Sequence, residues 1–204
     1  MLSKKWKNIL GGLVVFTLIS GIVTVLGGLY ILYSYGRDLP DFSQLANYEP
    51  PVVSRIYAGD GSLLKEYARE KRLFVPISAI PPKVIQAFIS AEDQSFYTHP
   101  GIDFKGVVRA VLVNIKNVFT NRRLVGASTI TQQVAKNFLL SGVVKFERKI
   151  KEAILTYRIE QTFSKDQILE LYMNDIYLGQ NSYGVAAAAL NYFGKSLEEL
   201  AVEE

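Results

Sequence analysis

The chain has 204 residues, 49% of them hydrophobic, and a formal net charge of +4. The absence of cysteine and the single histidine exclude disulfides, thiolate catalysis and a zinc centre of the Cys/His type. A basic balance suits nucleic acid, anionic lipid headgroups or phosphorylated substrates.

Residues 8–36 carry no charge, a run longer than the roughly 20 apolar residues that cross a bilayer. Lys4, Lys5 and Lys7 precede it, and Tyr30, Tyr33 and Tyr35 stand at its far end. Basic residues stay on the cytoplasmic side, and aromatic rings favour the interface. The run is too long for the ~7–15-residue core of a cleaved signal peptide. It reads as an uncleaved, single-pass anchor over 8–36, with a cytoplasmic tail over 1–7 and the rest on the extracytoplasmic face. That placement makes nucleic acid the weakest of the three partners.

Prolines and missing periodicity make 37–53 an extended linker. Asp60-Gly61 between two short runs predicts a β-hairpin. From Pro81 the pattern turns helical, with Pro81 and Pro82 suited to a first turn. Asp103 caps a helix whose apolar positions are Phe104, Val107, Val108, Val111 and Ile115. Residues 117–127 break the pattern as a polar connection. Thr129 with Gln132 and Ser164 with Gln167 form capping boxes for the next helices. Between them, Phe146, Ile150, Ala153, Ile154 and Tyr157 form a buried stripe. Gly194 stops the alanine-rich last helix.

Two acids, Glu92 and Asp93, end the apolar helix in "SAEDQSFYTHPG". Adjacent helical residues project about 100° apart, so the two take different roles. A carboxyl group at that helix end, near Phe88 and Phe96, loses water, and desolvation raises a carboxyl pKa. His99 alone reads as a loop histidine bonded to a backbone carbonyl. In "RKIKE", Glu152 lies within helical reach of Arg148 and Lys149. Spacing alone makes that an ordinary surface salt bridge, worth under about 1 kcal/mol. In "GASTITQQVAKN", Gln132 with Lys136 and Gln133 with Asn137 make amide rows on a polar face, suited to sugar hydroxyls and phosphate. Ser128 and Thr129 stand at the helix N-terminus, where anions bind.

These stretches together resemble the peptidoglycan glycosyltransferases of glycosyltransferase family 51, the module of class A penicillin-binding proteins and monofunctional transglycosylases. The family pattern EDxxFxxHxG is met by Glu92, Asp93, Phe96, His99 and Gly101. GxSTITQQ with a following KN is met from Gly126 to Asn137, and RKxxE by Arg148, Lys149 and Glu152. KxxILxxYxN is met by Lys165, Ile168, Leu169, Tyr172 and Asn174, and a glycine- and alanine-rich element ends at Lys195.

The resemblance implies a mainly α, lysozyme-like domain over 54–204, the N-terminal part of a module that continues further in the family. It implies polymerisation of lipid II into β-1,4-linked glycan with inversion and release of undecaprenyl pyrophosphate. Glu92 is then the general base and Glu152 the second essential carboxylate. Substrate contacts fall to Asp93, Phe96, His99, Ser128, Thr129, Gln132, Gln133, Lys136, Asn137, Arg148, Lys149, Asn174 and Lys195. A divalent cation, Mg or Mn, is a candidate helper held by Glu152. The implied partners are lipid II, the growing glycan strand, the bilayer and other cell wall synthesis proteins. Residues 102–124 are the candidate membrane-facing lobe, and 117–127 a flap over the lipid site. The rivals are a lysozyme-like hydrolase or lytic transglycosylase acting on polymer, and an inactive membrane-anchored scaffold.

Overall fold

The computed structural model of the chain describes residues 4–47, 54–67, 71–140 and 145–204. It divides into two compact units, Met1–Leu39 and Pro40–Glu204.

The first unit is one helix, α1 (Lys4–Arg37). Its stretch Gly11–Arg37 is long and apolar enough to cross a membrane, and no part of it is buried. The hydroxyls of Thr17 and Thr24 donate to the carbonyls of Leu13 and Ser20 at 2.9 and 2.8 Å. Both threonine hydroxyls are thus satisfied within the helix, as an apolar solvent requires. Arg37 lies 5.5 Å from the Tyr33 ring centroid, a cation–aromatic pair at the helix end.

The second unit is mainly helical with little strand. The region predicted as an extended linker contains a 3-10 helix, Phe42–Asn47. Leu45 is buried there, so an apolar anchor shapes a stretch that periodicity could not flag; residues 48–53 lie outside the described residues. The predicted hairpin is present as β1 (Ser54–Tyr57) antiparallel to β2 (Leu63–Tyr67). Gly61 turns at φ +84°. The Asp60 carboxylate accepts the backbone N–H of Ser62 at 2.9 Å and its hydroxyl at 2.7 Å. Further on, β3 (Lys71–Arg72) pairs in parallel with β4 (Ser182–Tyr183).

Six helices follow: α2 (Pro82–Glu92), α3 (Phe104–Phe119), α4 (Ile130–Leu139), α5 (Lys145–Thr162), α6 (Lys165–Asp175) and α7 (Val185–Phe193). Their predicted starts hold. Asp103 accepts from the Gly106 N–H, and both capping boxes close in both directions. Gly194 ends α7 in the left-handed region. The core lies where α4 packs on α5 and α6. Ile130, Val134, Leu155, Ile159, Ile168, Leu169, Tyr172 and Met173 are all but fully enclosed there. Each such aliphatic side chain contributes about 1.5–3 kcal/mol of burial.

One predicted face is corrected. On α5 the interior holds Glu152, Leu155, Thr156 and Ile159, while Tyr157 is exposed. Each is two positions on from the predicted Ile150, Ala153, Ile154 and Tyr157, a rotation of about 200°. Ile150, Ala153 and Ile154 are half-buried beside that face, whose glutamate and threonine hydrophobicity does not mark; the Phe146 side chain lies outside the described residues. On α3 the helical period is right and the stripe faces outward, the direction that a membrane-facing lobe over 102–124 requires: Phe104, Val108, Val111, Leu112, Ile115, Val118 and Phe119 are all exposed. The face of α3 turned to the protein carries Ala110 and Asn117 instead.

Candidate active site

The C-terminal turn of α2 separates the two acids as their angular offset predicts. Asp93 points inward and is 6% exposed, whereas Glu92 is exposed. The expectation of a water-stripped Glu92 is therefore not met. Phe96 turns wholly into the core and leaves Glu92 uncovered. Glu92 instead stands at a cavity of about 280 Å³ formed by the end of α2, the first half of α3 and the segment 125–129. The Gln133 side-chain amide donates to Glu92 Oε2 at 2.9 Å and fixes the carboxylate from α4.

Asp93 ties the site together. Both its oxygens lie 3.0 Å from His99 Nε2, and Oδ2 accepts the Ile130 N–H at 3.1 Å. The Gly101 N–H donates to His99 Nδ1 at 3.0 Å. Nδ1 is thus an acceptor, and Nε2 carries the hydrogen that faces Asp93. Ile130 opens α4, whose first N–H groups lack partners within the helix. Thr129 donates its hydroxyl to the Gly101 carbonyl at 2.5 Å while accepting from the Gln132 N–H. Below this, Lys165 donates to the His99 carbonyl and to Glu160 Oε1, each at 2.8 Å, and sits 4.6 Å from the Phe96 ring centroid. The Thr131 hydroxyl donates to the same Glu160 oxygen. Gly101, at φ +96°, lies so close to α5 that a Cβ there would meet Thr156 Cγ2 at 2.7 Å.

That network corrects several sequence assignments. Asp93, Phe96, His99, Thr129, Gln132 and Asn174 are buried, and the polar ones spend their hydrogen bonds on the protein. Phe96, His99, Gln132 and Asn174 are walls and braces set back from the cavity, whereas Asp93 and Thr129 brace the site and also line the cavity beside Glu92. His99 binds a carboxylate and an N–H, not a backbone carbonyl. Gln132 turns inward as a cap, so the two amide rows do not share one face. Asn174 exchanges two 2.8 Å hydrogen bonds with the Val75 backbone and fastens residues 75–77 to α6.

Glu152 is 3% exposed, and its carboxylate accepts from Lys149 Nζ at 2.5 Å. Lys149 is also 3.2 Å from the Ser128 hydroxyl, and Ser128 lines the cavity beside Glu92. The pair is thus a buried acid held by a half-exposed lysine, not the surface salt bridge suggested by spacing. Lys136 and Asn137 are exposed and Gln133 half-buried on α4. Arg148 is half-buried on α5. Lys195 is engaged elsewhere, with both Glu204 carboxylate oxygens at 2.6 and 2.8 Å. Sequence reasoning missed Arg109, which lines the cavity from α3 together with Asp103, Gly106, Ala110 and Val113. The signal was the three- and four-residue spacing of Asp103, Gly106, Ala110 and Val113, which puts one face of α3 beside the acids. Among the described residues no group of three or more His, Cys, Asp or Glu side chains is placed to hold a metal ion. Glu152, the expected ligand, faces a lysine, so the donor set does not fit a protein-held divalent cation.

The family model described as "Transglycosylase" matches residues 60–204. The chain is 61% identical over 175 residues to penicillin-binding protein 1A of Rickettsia felis, covering 86% of this chain and 22% of that protein. It is 46% identical over 179 residues to penicillin-binding protein 1A of Escherichia coli, covering 87% and 21% respectively. A crystal structure of penicillin-binding protein 1A from Haemophilus influenzae aligns at 26% identity with a TM-score of 0.35, covering 77% of this chain and 13% of that one. The chain spans about a fifth of the length of the curated relatives it matches. With well over half its residues inside the matched model, the chain belongs to the Transglycosylase family.

Proposed function

We propose that the chain is a peptidoglycan glycosyltransferase that extends glycan strands from lipid II at the outer surface of the cell membrane. The observation that carries this reading is the Glu92 carboxylate, fixed by Gln133 beside a cavity whose far wall leads through Ser128 to Lys149 and Glu152.

In the proposed step the acceptor sugar's 4-hydroxyl attacks the donor's anomeric carbon. Glu92 takes the hydroxyl proton as the new C–O bond forms, because a neutral hydroxyl is a poor nucleophile. The bond from the anomeric carbon to the phosphate oxygen breaks, and undecaprenyl pyrophosphate leaves with the electron pair. Attack opposite the leaving group inverts α to β. The leaving group is already a stable anion, so it needs positive charge more than a proton. Lys149 and Arg109 are the cations that support this role by position, with Arg148 and Lys136 as further candidates. Lys195, bound to Glu204, is not placed among them. Glu152 holds Lys149 aimed at Ser128. No step runs through a divalent cation.

The anchor reading of α1 rests on its length and apolar surface. With Lys4, Lys5 and Lys7 at its start, the N-terminus is placed in the cytoplasm. The outward apolar face of α3, with Lys116, Arg122 and Arg123 exposed near its end, supports insertion into the headgroup zone of the bilayer. The loop expected to be a flap is held to α3: the Asn114 side chain pairs with both backbone groups of Val125, and the Asn117 side chain donates to the Arg123 carbonyl.

The test is to give the detergent-solubilised protein labelled lipid II in one arm and preformed glycan polymer in the other. Polymer formation with release of undecaprenyl pyrophosphate is expected in the first arm and no cleavage in the second. Cleavage of polymer without use of lipid II would replace this reading with the hydrolase.

A further inference from the structure

Tyr172 is a buried titratable group that the reaction above leaves unused. Its side chain is 1% exposed, and its hydroxyl has no hydrogen-bond partner among the described residues. A buried donor without a partner costs stability unless something offsets it. Its surroundings point to Glu92. The Phe88 ring packs edge-on against Tyr172, with centroids 6.2 Å apart and planes 75° apart. Phe88 and Glu92 are four residues apart on α2 and share one helix face. Tyr172 therefore lies under the face that carries Glu92. The helix bearing Gln133, which holds Glu92 Oε2, also packs on the helix bearing Tyr172. Burial first, and then the Glu92 charge, push the Tyr172 hydroxyl's pKa up, so it stays a protonated donor.

We infer that Tyr172 is a positioning residue whose hydroxyl donates to the second Glu92 oxygen when the carboxylate swings from the cavity mouth toward α6. In that position Gln133 holds one oxygen and Tyr172 the other, and the carboxylate is fixed from two sides. This rests on Glu92 being the proton acceptor. The other charged groups around Glu92 are Asp93, already bonded to His99; Asp103, capping α3; Arg109, across the cavity; and Lys149, reaching it through Ser128. None of these fills the position over Phe88.

The experiment compares Tyr172→Phe and Glu92→Gln with the parent, with lipid II as substrate. The Phe variant removes an oxygen that bonds nothing in the described structure, so its melting midpoint should not fall. Its kcat should fall about tenfold with KM within about twofold, as expected for a lost hydrogen bond to a charged group. A donor to the ionised carboxylate favours the ionised form. Its loss should move the acid limb of the kcat/KM profile up by about one pH unit. A lower kcat with an unmoved acid limb, or parental kinetics, would overturn the inference while an inactive Glu92→Gln left the base assignment standing. A Glu92→Gln variant of parental rate would overturn both.

Discussion

Replacing Asp93 by alanine should destabilise the second unit by about 3–7 kcal/mol. The carboxylate is 6% exposed and accepts from two groups, His99 Nε2 and the Ile130 N–H. Hydrogen bonds to a charged group contribute about 1.5–3 kcal/mol each. The charge also faces the N-terminus of α4, where a negative group adds about 0.3–1 kcal/mol. Alanine removes both bonds and leaves two buried donors without acceptors. Asparagine can still accept from Ile130, but its amide cannot satisfy the His99 Nε2–H as well, so it should lose about half as much. The assay is urea unfolding of the detergent-solubilised chain, followed by far-ultraviolet circular dichroism. An Asp93→Ala variant within about 1 kcal/mol of the parent would refute the claim that Asp93 fastens α2, the His99 loop and α4 together.

Gly101→Ala should lower the melting midpoint, because φ is +96° and the added Cβ would press on Thr156 and Glu160 at 2.7 and 2.8 Å; a cost of about 2–4 kcal/mol is expected from strain plus overlap. Gln133→Ala should cut kcat about tenfold while leaving thermal stability near that of the parent, since the half-buried amide bonds Glu92 from α4; steady-state kinetics and a melt separate the two. Burial, then Glu92, holds the Tyr172 pKa above its ordinary value. A raised folded-state pKa gives stability that is complete below the unfolded value, about pH 10, and lost as pH rises beyond it. Denaturant titrations above pH 10 should show a slope that Tyr172→Phe reduces by up to about 1.4 kcal/mol per pH unit. Leu112→Glu or Phe119→Glu should leave folding intact, because both side chains are exposed at 64% and 85%, yet weaken binding of the chain's second unit to vesicles containing anionic lipid, read by flotation of a variant pair sharing the same α1.

Local rules carried most of the helix boundaries. Asp103, Thr129, Ser164 and Gly194 each stop or start a helix with their own side chain or φ, so neighbouring residues were enough to place them. The faces were less legible, because burial depends on what packs from elsewhere. The inner side of α5 holds Glu152 and Thr156, which look like surface residues until α4 packs against α5. The outer side of α3 is apolar, and its sequence alone admits both a core face and a membrane-facing one. The motifs marked the site's neighbourhood but merged two kinds of residue. Phe96, His99 and Asn174 build the frame, Glu92, Ser128 and Thr129 line the cavity, and Gln133 and Lys149 hydrogen-bond to Glu92 and Ser128. Nothing in their spacing distinguishes them; a hydrogen bond spanning 37 positions, such as that from Ile130 to Asp93, does.

In the proposed reaction Glu92 removes the acceptor's proton. The direct measurement is the initial rate of lipid II polymerisation by Glu92→Gln against the parent, at matched protein concentration, matched helix content and matched melting midpoint. Glutamine keeps the size of Glu92 and an oxygen for Gln133 but takes no proton at neutral pH, so the account predicts a rate at least about a thousandfold lower. A variant that polymerises at the parent's rate would contradict it.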